Sequence, residues 1–350
     1  MNKIFKKGTI CLDMVGCPNN CKHCWIGKNH NGDLKIDDLL YVRDEFKKVI
    51  TNLDLHSWYK EPDYHKYYKD LYKIEINNSI THKGHFELIS FYRAVRDKEY
   101  IPWLSSIGLK KAQLTFFGME KSTNYYVGRK TALLELIETI NLLLENKIAP
   151  RIQIFTYKDN IDELNDLLTL FNAMNLEERC KEIGQEFNIF THQGSAIGLS
   201  MNLVDNWITT NDLEKIPEYL KLKTFEYFNT NTYENVFGFP EKILYDESLN
   251  KNIELKLVVD EPVFYIDKDF NVYPNHSEVN KYWLLGNLKE ADINDIIKVY
   301  LNNESIAQKV YKETPFKEMV LECGNPERDI LFLRSDYYFY ILEKYLKKKY

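Results

Sequence analysis

The sequence predicts an α/β protein whose parallel sheet forms either a partial barrel or an open sheet. In the first 200 of its 350 residues, short runs with strand periodicity alternate with longer runs that have helical periodicity. This alternation is typical of parallel strands joined by right-handed crossovers. After residue 200 it stops. In both forms of the sheet, ligands bind at the carboxyl ends of the strands.

Six short apolar or alternating runs are predicted to be strands, and most are followed by a helical pattern. In order, the predicted strands are GTICLDMV (8–15), TNLDLHSW (51–58), HFELIS (85–90), KAQLTFF (111–117), PRIQIFTY (150–157) and QEFNIFTH (185–192). The predicted helices cover 35–50, 63–74, 91–106, 130–147 and 160–174. We expect Pro102 to bend or end the third of these helices. Asn160 as N-cap and Glu163 three positions later are expected to begin the fifth.

The chain after residue 200 has a different pattern. Residues 201–260 are mixed in character and rich in Tyr and Asn. PVFYIDKDFNVYPN (262–275) predicts a hairpin, and INDIIKVYLNN (293–303) and the C-terminal segment have helical patterns. We therefore expect a core at 1–200, a connecting segment at 201–260 and a C-terminal module at 261–350.

Composition and charge exclude some classes of function. The net charge of −6 and the pI near 5.9 disfavour a nucleic-acid partner. The sequence contains no run of about twenty apolar residues, so no membrane span is predicted. The N-terminal residues lack the apolar region of a signal peptide, so a cytoplasmic protein with reduced thiols is expected.

Three of the six cysteines, Cys17, Cys21 and Cys24, have the spacing C-x3-C-x2-C in the loop after the first predicted strand. In a reducing compartment, such a cluster indicates a metal-binding or catalytic site rather than disulfides. Three thiolates can ligate three irons of a cubane [4Fe–4S] cluster and leave the fourth iron open. They also suit structural zinc, with His23 or His30 as a fourth ligand. Ligand type alone leaves both sites possible.

The position of this motif, in the loop after the first strand, resembles the radical S-adenosylmethionine superfamily. The resemblance implies a partial (β/α)6 TIM-like barrel in which Cys17, Cys21 and Cys24 hold a [4Fe–4S] cluster. It implies that the open iron chelates S-adenosylmethionine. Electron transfer from the cluster then cleaves the sulfonium, and the 5′-deoxyadenosyl radical takes a hydrogen atom from the substrate. An external one-electron donor, such as a flavodoxin or a ferredoxin, is a further implied partner.

Other segments extend the resemblance along the chain. YKEP (59–62) stands where the family has G-G-E-P, so Glu61 is expected to meet the methionine amino group although both glycines are replaced. Thr115 stands at the serine that contacts the ribose, and Phe117 replaces the usual aspartate. Arg129 stands at the arginine that pairs with the methionine carboxylate.

Two further residues are expected to contact the cofactor. His23 occupies the position before the last cysteine, where the family has an aromatic residue that leans on the adenine. Gln153, in the predicted fifth strand, and the segment FTHQGSA (190–196) stand where the family lines the adenine and substrate cavity.

The C-terminal segments FYIDKDFNVYPN (264–275) and YWLLGNLKE (282–290) resemble the SPASM/twitch extension of the same superfamily. In that module a cysteine after Y-P helps to bind an auxiliary cluster, but Asn275 stands here. Beyond Cys24 only Cys180 and Cys323 remain, too few for a second site with four thiolates. We expect a small α+β module without a cluster, acting as a lid or substrate wall.

The resemblance favours an enzyme that acts on a peptide or on a natural-product intermediate. The first predicted strand begins within ten residues of Met1, so no peptide-recognition domain is expected before it. The same chemistry on a small metabolite therefore stays an alternative. A zinc-stapled α/β binding protein without catalysis is the alternative from another class.

Overall fold

A computed structural model describes residues 3–27, 31–275 and 278–350. The strands are β1 (Phe5–Leu12), β2 (Ile50–His56), β3 (Lys111–Phe116), β4 (Ala149–Phe155), β5 (Asn188–His192), β6 (Phe239–Pro240), β7 (Val263–Ile266), β8 (Asn271–Pro274), β9 (Gly286–Asn287) and β10 (Leu331–Phe332). The α-helices are α1 (Ile36–Lys47), α2 (Tyr68–Asn78), α3 (Phe91–Ala94), α4 (Tyr100–Ser106), α5 (Glu120–Val127), α6 (Ala132–Glu145), α7 (Leu164–Ala173), α8 (Leu176–Glu182), α9 (Glu218–Phe228), α10 (Glu241–Asn250), α11 (Ile293–Leu301), α12 (Ile306–Glu313), α13 (Phe316–Cys323) and α14 (Arg334–Lys349). Among these residues no helix combines the length and apolar character that a membrane span requires.

The first sheet joins the two ends of the chain. Its order is β2-β1-β7-β8-β9, and β1 is parallel to both β2 and β7. The predicted hairpin is confirmed as the antiparallel pair β7–β8. Because β7 hydrogen-bonds to β1, Cys11 has His56 as its neighbour on one side and Tyr265 on the other. The C-terminal region therefore supplies part of the sheet that carries the cysteine loop.

The second sheet contains the parallel strands β3, β4 and β5, in that order. The predicted strand at 85–90 is wrong, because only Leu88 forms a bridge, with Gln113. Ser90, the last residue of that run, is the N-cap of α3, and its side chain accepts a hydrogen bond from Arg93 N. The hydrogen bonds thus establish a mixed α/β fold in which one sheet is parallel and the other combines parallel and antiparallel strands, and the partial barrel stays a prediction.

One prediction about a helix end is wrong and another is confirmed in position only. Pro102 lies in the first turn of α4, where its missing N–H leaves no hydrogen bond unmade, and the helical run is interrupted earlier, at 95–99. Asn160 holds the N-cap position of the 3₁₀ turn before α7, but its side chain makes no capping hydrogen bond; it accepts from Tyr157 N and donates to Phe155 O. Both ends are decided by contacts that sequence spacing does not reveal.

Glu163, expected in a capping box, instead links two segments. Its carboxylate accepts hydrogen bonds from Met119 N, at 2.6 Å, and Ser122 Oγ, also at 2.6 Å. Residues 161–163 form a 3₁₀ turn before α7. The carboxylate therefore satisfies donors at the start of α5 rather than at the start of its own helix.

Apolar side chains form three buried clusters. One packs β3, β4 and β5 against helices that include α6 and α7. Another packs β1, β2, β7 and β8 against α1 and α11. The third joins the cysteine loop region to the C-terminal helices. The helix-facing sides of both sheets are thus filled, which leaves the opposite sides to form a cavity.

Candidate functional site

All eight predicted cofactor and cluster residues line one cavity of about 1140 Å³. They are Cys17, Cys21, His23, Cys24, Glu61, Thr115, Arg129 and Gln153. The volume exceeds the range of about 300–1000 Å³ that is typical of single-ligand sites. Residues that are distant in sequence therefore meet in a space that can hold a cofactor together with a substrate.

The cysteine loop packs on the C-terminal end of α5. Asn20 N donates to Val127 O at 3.3 Å, and Lys22 N donates to Tyr126 O at 2.8 Å. The last carbonyls of a helix lack intrahelical partners, and the loop supplies them. Gly128 follows with φ of 70°, and a Cβ there would lie 2.4 Å from Asn20 O. This position therefore requires glycine for its conformation and for the close approach of the loop.

A second glycine holds the loop from its other end. Leu199 N donates to Cys24 O at 2.8 Å. A Cβ at Gly198, whose φ is 62°, would lie 2.3 Å from Trp25 O. The segment after β5 thus packs directly on the backbone of the last cluster cysteine.

Side chains close to the first cysteine fix its backbone. Asn31 Oδ1 accepts from Cys17 N, and Asn31 Nδ2 donates to Cys17 O, both at 3.1 Å. Lys60 forms a buried ion pair with Asp13 at 2.8 Å, and Asp13 also accepts from Gly16 N at 3.2 Å. These contacts tie the cysteine loop to the segment that carries Glu61.

The arrangement of the three thiols bears on the kind of metal site that they could form. In residues 3–27, 31–275 and 278–350, no three His, Cys, Asp or Glu side chains are arranged to hold one metal ion. The corners of a cubane are separate irons, so its thiolates need not converge on one point. Burial raises the pKa of Cys17, Cys21 and Cys24, which leaves the thiols protonated until a metal binds.

His23, one of the two histidines proposed as a zinc ligand, lies in an environment that does not favour that role. The ring of His23 lies 4.7 Å from that of Phe117 and 4.9 Å from that of Phe155. Its Nδ1 is buried and has no hydrogen-bond partner within the part of the chain that the structure describes, and burial lowers the pKa of His23 to about 4. The side chain is therefore a neutral ring within an aromatic cluster. His30 lies outside the described residues.

Glu61 lies between the cysteine loop and the start of α3. Its carboxylate accepts from Ser90 Oγ at 2.5 Å and from the Cys17 thiol at 3.6 Å. Removal from water raises the pKa of Glu61 to about 7, against the effect of these two bonds. A cation placed beside this carboxylate would stabilise its charged form.

Arg129 reaches the cysteine loop from the end of α5. Its Nε donates to Asn19 Oδ1 at 3.1 Å, and its guanidinium lies 4.5 Å from the ring centre of Tyr92. Glu135 is 3.8 Å from the same Nε. The guanidinium is thus held over the cavity by a loop contact, an aromatic face and a carboxylate.

Thr115 and Gln153 belong to a continuous hydrogen-bond network on the second sheet. Gln153 Oε1 accepts from Thr115 Oγ1 at 3.0 Å and from Gln113 Nε2 at 2.6 Å. Gln153 Nε2 contacts His192 Nε2. Arg151 donates to Gln113 Oε1 at 3.1 Å. This network, which includes the Arg151–Glu87 ion pair, holds its polar groups in place before any ligand binds.

Two of the three remaining thiols lie apart from the loop. Cys180 is buried in the cluster that packs on the second sheet, and Cys323 is buried among the C-terminal helices. Asn275 is bonded through its backbone N–H to Val263 O. The absence of a second thiolate site in the C-terminal module stays a prediction.

Comparisons with known proteins show a shared fold. Neither a family profile nor a curated protein sequence matches this chain. Among solved structures, it is similar to native anSMEcpe with bound AdoMet, at a TM-score of 0.52 and 14% identity over 97% of this chain and 96% of the other. It is also similar to Streptococcus suis SuiB bound to precursor peptide SuiA, at a TM-score of 0.50 and 13% identity over 87% and 67%. Both neighbours are SPASM/twitch-domain radical S-adenosylmethionine enzymes.

Proposed function

We propose that this chain is a radical S-adenosylmethionine enzyme that removes a hydrogen atom from a peptide substrate. The observation that carries the proposal is that all eight residues expected at the cluster and cofactor line one cavity. They come from the loop after β1, the segment after β2, strands β3 and β4, and the end of α5. The shared fold with two enzymes of this chemistry supports the same conclusion.

Each residue has a role that its contacts support. Cys17, Cys21 and Cys24 would bind three irons of a [4Fe–4S] cluster. Glu61 would accept a hydrogen bond from the amino group of the methionine moiety, and Arg129 would pair with its carboxylate.

Other residues would bind the nucleoside part of the cofactor. Thr115 and Gln153 are positioned by their mutual hydrogen bond and would meet the ribose and the base. The ring of His23, with Phe117 and Phe155, would provide an apolar face for the adenine.

The bound cluster and cofactor would supply the radical chemistry, because one-electron cleavage of the sulfonium yields a group that abstracts hydrogen. The protein contributes binding, orientation and exclusion of water. The stacked rings of Phe117 and Phe155, with centroids 5.4 Å apart, line the cavity and keep that part of it apolar.

A peptide substrate is favoured over a small metabolite. Two of the similar solved structures hold peptides, one Cp18Cys and the other SuiA. The cavity, at about 1140 Å³, is large enough for the cofactor and part of a chain. A natural-product precursor peptide is therefore the substrate class that we propose.

Anaerobic reconstitution with iron and sulfide tests the proposal. We expect a brown protein with about four irons per chain. Dithionite and S-adenosylmethionine should then yield 5′-deoxyadenosine. A colourless protein that binds one zinc and forms no 5′-deoxyadenosine would contradict the proposal and support the zinc-stapled binding protein.

A further inference from the structure

A row of polar side chains on the second sheet leads from behind the cavity to its wall. Arg151 Nε donates to Gln113 Oε1 at 3.1 Å, and Gln113 Nε2 lies 2.6 Å from Gln153 Oε1. Thr115 Oγ1 lies 3.0 Å from the same oxygen of Gln153. Among the described residues, Thr115 and both glutamines line the cavity, and Arg151 does not. Arg151 can therefore act on a ligand only through these neighbours.

The guanidinium of Arg151 decides which end of each amide faces which neighbour. It has donors and no acceptor, so the group of Gln113 that faces it must be the carbonyl oxygen. The amide nitrogen of Gln113 then faces Gln153, whose receiving group must be an oxygen. That oxygen cannot donate, so the hydrogen of its bond to Thr115 comes from the Thr115 hydroxyl. The hydroxyl hydrogen is thereby committed to the wall, and only the lone pairs of Oγ1 are left for the cavity.

We propose that Arg151 is a positioning residue that makes the Thr115 hydroxyl an acceptor toward the cavity, so that the ligand must offer a donor there. This inference rests on the proposed function, in which Thr115 meets the ribose, and it adds that the ribose hydroxyl is the donor of this bond. A site built in this way rejects a group of similar size that can only accept, because two acceptors would then face each other.

The guanidinium is itself held in place. It forms an ion pair with Glu87 and lies 6.0 Å from the ring centre of Tyr227. The segment that carries Glu87 is bonded to β3, because Gln113 N donates to Glu87 O at 2.7 Å. An arginine in a protein stays protonated, so the donor of this row never becomes an acceptor. The direction of the row is therefore permanent.

The opposite end of the row presents a competing donor. Gln153 Nε2 contacts His192 Nε2, and Gly194 N lies 3.2 Å from His192 Nδ1. Burial lowers the pKa of His192 to about 4, so the ring is neutral and only one of its nitrogens can accept. The contact of Gly194 is the longer one, and a bond from a charged guanidinium is stronger than a bond from a neutral amide. We therefore expect Arg151 to set the direction and His192 to carry its proton on Nδ1.

One isosteric substitution should reverse the row. In Gln113→Glu the carboxylate still accepts from Arg151, but its second oxygen would face the Gln153 oxygen and should turn that amide over. Gln153 would then donate to Thr115, whose hydrogen would point into the cavity. Arg151→Met should allow either direction, and Arg151→Lys, which keeps a donor, should restore the original one. Glu87→Gln is the matched control, because it removes the ion pair and leaves the bond from Arg151 to Gln113.

Anaerobic equilibrium dialysis of the reconstituted, oxidised full chain measures binding without turnover. The probes are S-adenosylmethionine and its 2′-fluoro-2′-deoxy and 3′-fluoro-3′-deoxy analogues, in which fluorine replaces a hydroxyl but cannot donate. The wild type should bind one of the two analogues at least about tenfold more weakly than S-adenosylmethionine. Glu87→Gln and Arg151→Lys should keep this ratio. Gln113→Glu and Arg151→Met should lower it to about threefold or less.

Nuclear magnetic resonance of the same protein with ¹⁵N-labelled histidine reports the direction of the row without any ligand. The oxidised [4Fe–4S] cluster has no net electron spin in its ground state, and His192→Gln identifies the signal of interest. The wild type should carry the His192 proton on Nδ1. Gln113→Glu should carry it on Nε2, because the turned amide of Gln153 would present its oxygen there.

The other outcomes are also decisive. A wild type with the His192 proton on Nε2 would show that Gly194 sets the direction, and the role of Arg151 would be overturned. It would also be overturned if the wild type did not discriminate against either analogue, or if Glu87→Gln lost discrimination as fully as Arg151→Met. Each of these results leaves the proposed function intact. If the reconstituted wild type bound no S-adenosylmethionine, the proposed function itself would fail, and this inference with it.

Discussion

The two walls of the cavity differ in how their polar groups are satisfied. On the second sheet, Gln153 bonds to Thr115, Gln113 and His192, so each polar group already has a partner. Beside the first sheet, in the segment after β2, the hydroxyl of Tyr59 has none among the described residues. A satisfied network is rigid and suits a cofactor that binds in every cycle. Unsatisfied groups suit a substrate whose arrival completes them.

The two walls also differ in where their strands lie along the chain. The second wall is local, since β3, β4 and β5 follow one another in sequence. The first wall is assembled from both ends of the chain, because β7 pairs with β1. Variants on one wall should therefore affect cofactor binding, and variants on the other should affect the fate of the substrate.

The largest effect is expected from Cys21→Ala, because both the cleavage of the cofactor and the reaction of the substrate require the cluster. Without a third thiolate the cluster should not be retained, and 5′-deoxyadenosine formation should fall by more than about 100-fold. Iron analysis and liquid chromatography measure the two losses. Cys180→Ala is the matched control, because its thiol is buried outside the cavity. Equal iron content in the two variants would refute the assignment of Cys21.

Gly128→Ala should have the next largest effect, because it disturbs the contact that holds the cysteine loop against α5. A Cβ there would lie 2.4 Å from Asn20 O. Gly184→Ala is a close control, since Gly184 has φ of 71° but nothing within 4 Å. Both variants carry the left-handed backbone penalty of about 1–2 kcal/mol. Only Gly128→Ala should also lose iron on gel filtration. If both variants retained the same amount of iron, the result would contradict the role of the contact between Gly128 and the cysteine loop.

A pair of variants compares the two walls directly. Gln153→Ala leaves Thr115, Gln113 and His192 without their shared partner and should lower the free energy of unfolding by about 1–3 kcal/mol. Tyr59→Phe removes a hydroxyl that has no partner and should change the free energy of unfolding by less than about 0.5 kcal/mol. Urea unfolding of the substrate-free protein measures both. Equal losses would show that the walls do not differ.

The last effect concerns pH. Burial lowers the pKa of His192 to about 4, below its ordinary value of 6.5, so the unfolded chain takes up a proton first as pH falls. The contribution of His192 is therefore complete above about pH 6.5 and is lost as pH decreases towards 4, at no more than about 1.4 kcal/mol per pH unit. His192→Gln should flatten this dependence in urea unfolding of the metal-free protein. An unchanged slope would contradict a buried neutral ring.

Local patterns predicted most strands of the fold. The runs at 111–117 and 150–157 form β3 and β4 because their alternating or continuous apolar residues match a half-buried sheet. The run HFELIS was misleading, since it forms only the bridge of Leu88 with Gln113, and its Glu87 side chain pairs with Arg151. The pairing of β7 with β1 joins residues some 250 positions apart, and no local pattern contains it.

The candidate site was predictable where a motif has fixed spacing. Cys17, Cys21 and Cys24 were predicted from their spacing and their position after the first strand, and Glu61 and Arg129 from the resemblance of their segments to the superfamily. The sequence analysis did not identify three features of the site: Asn31, Gly198 and the Lys60–Asp13 ion pair. Each acts through backbone geometry or through a partner that is distant in sequence. Gly198 carried a weak signal as an isolated glycine soon after a predicted strand.

The most direct test of the central claim is electron paramagnetic resonance of the reduced, reconstituted protein with and without S-adenosylmethionine. If three thiols hold the cluster and leave one iron open, the cofactor should bind that iron and change the g-values of the [4Fe–4S] signal. When the protein is first saturated with S-adenosylhomocysteine, S-adenosylmethionine added afterwards should no longer cause this change in the g-values. An iron–sulfur signal that S-adenosylmethionine leaves unaltered, or a protein without such a signal, would contradict the account.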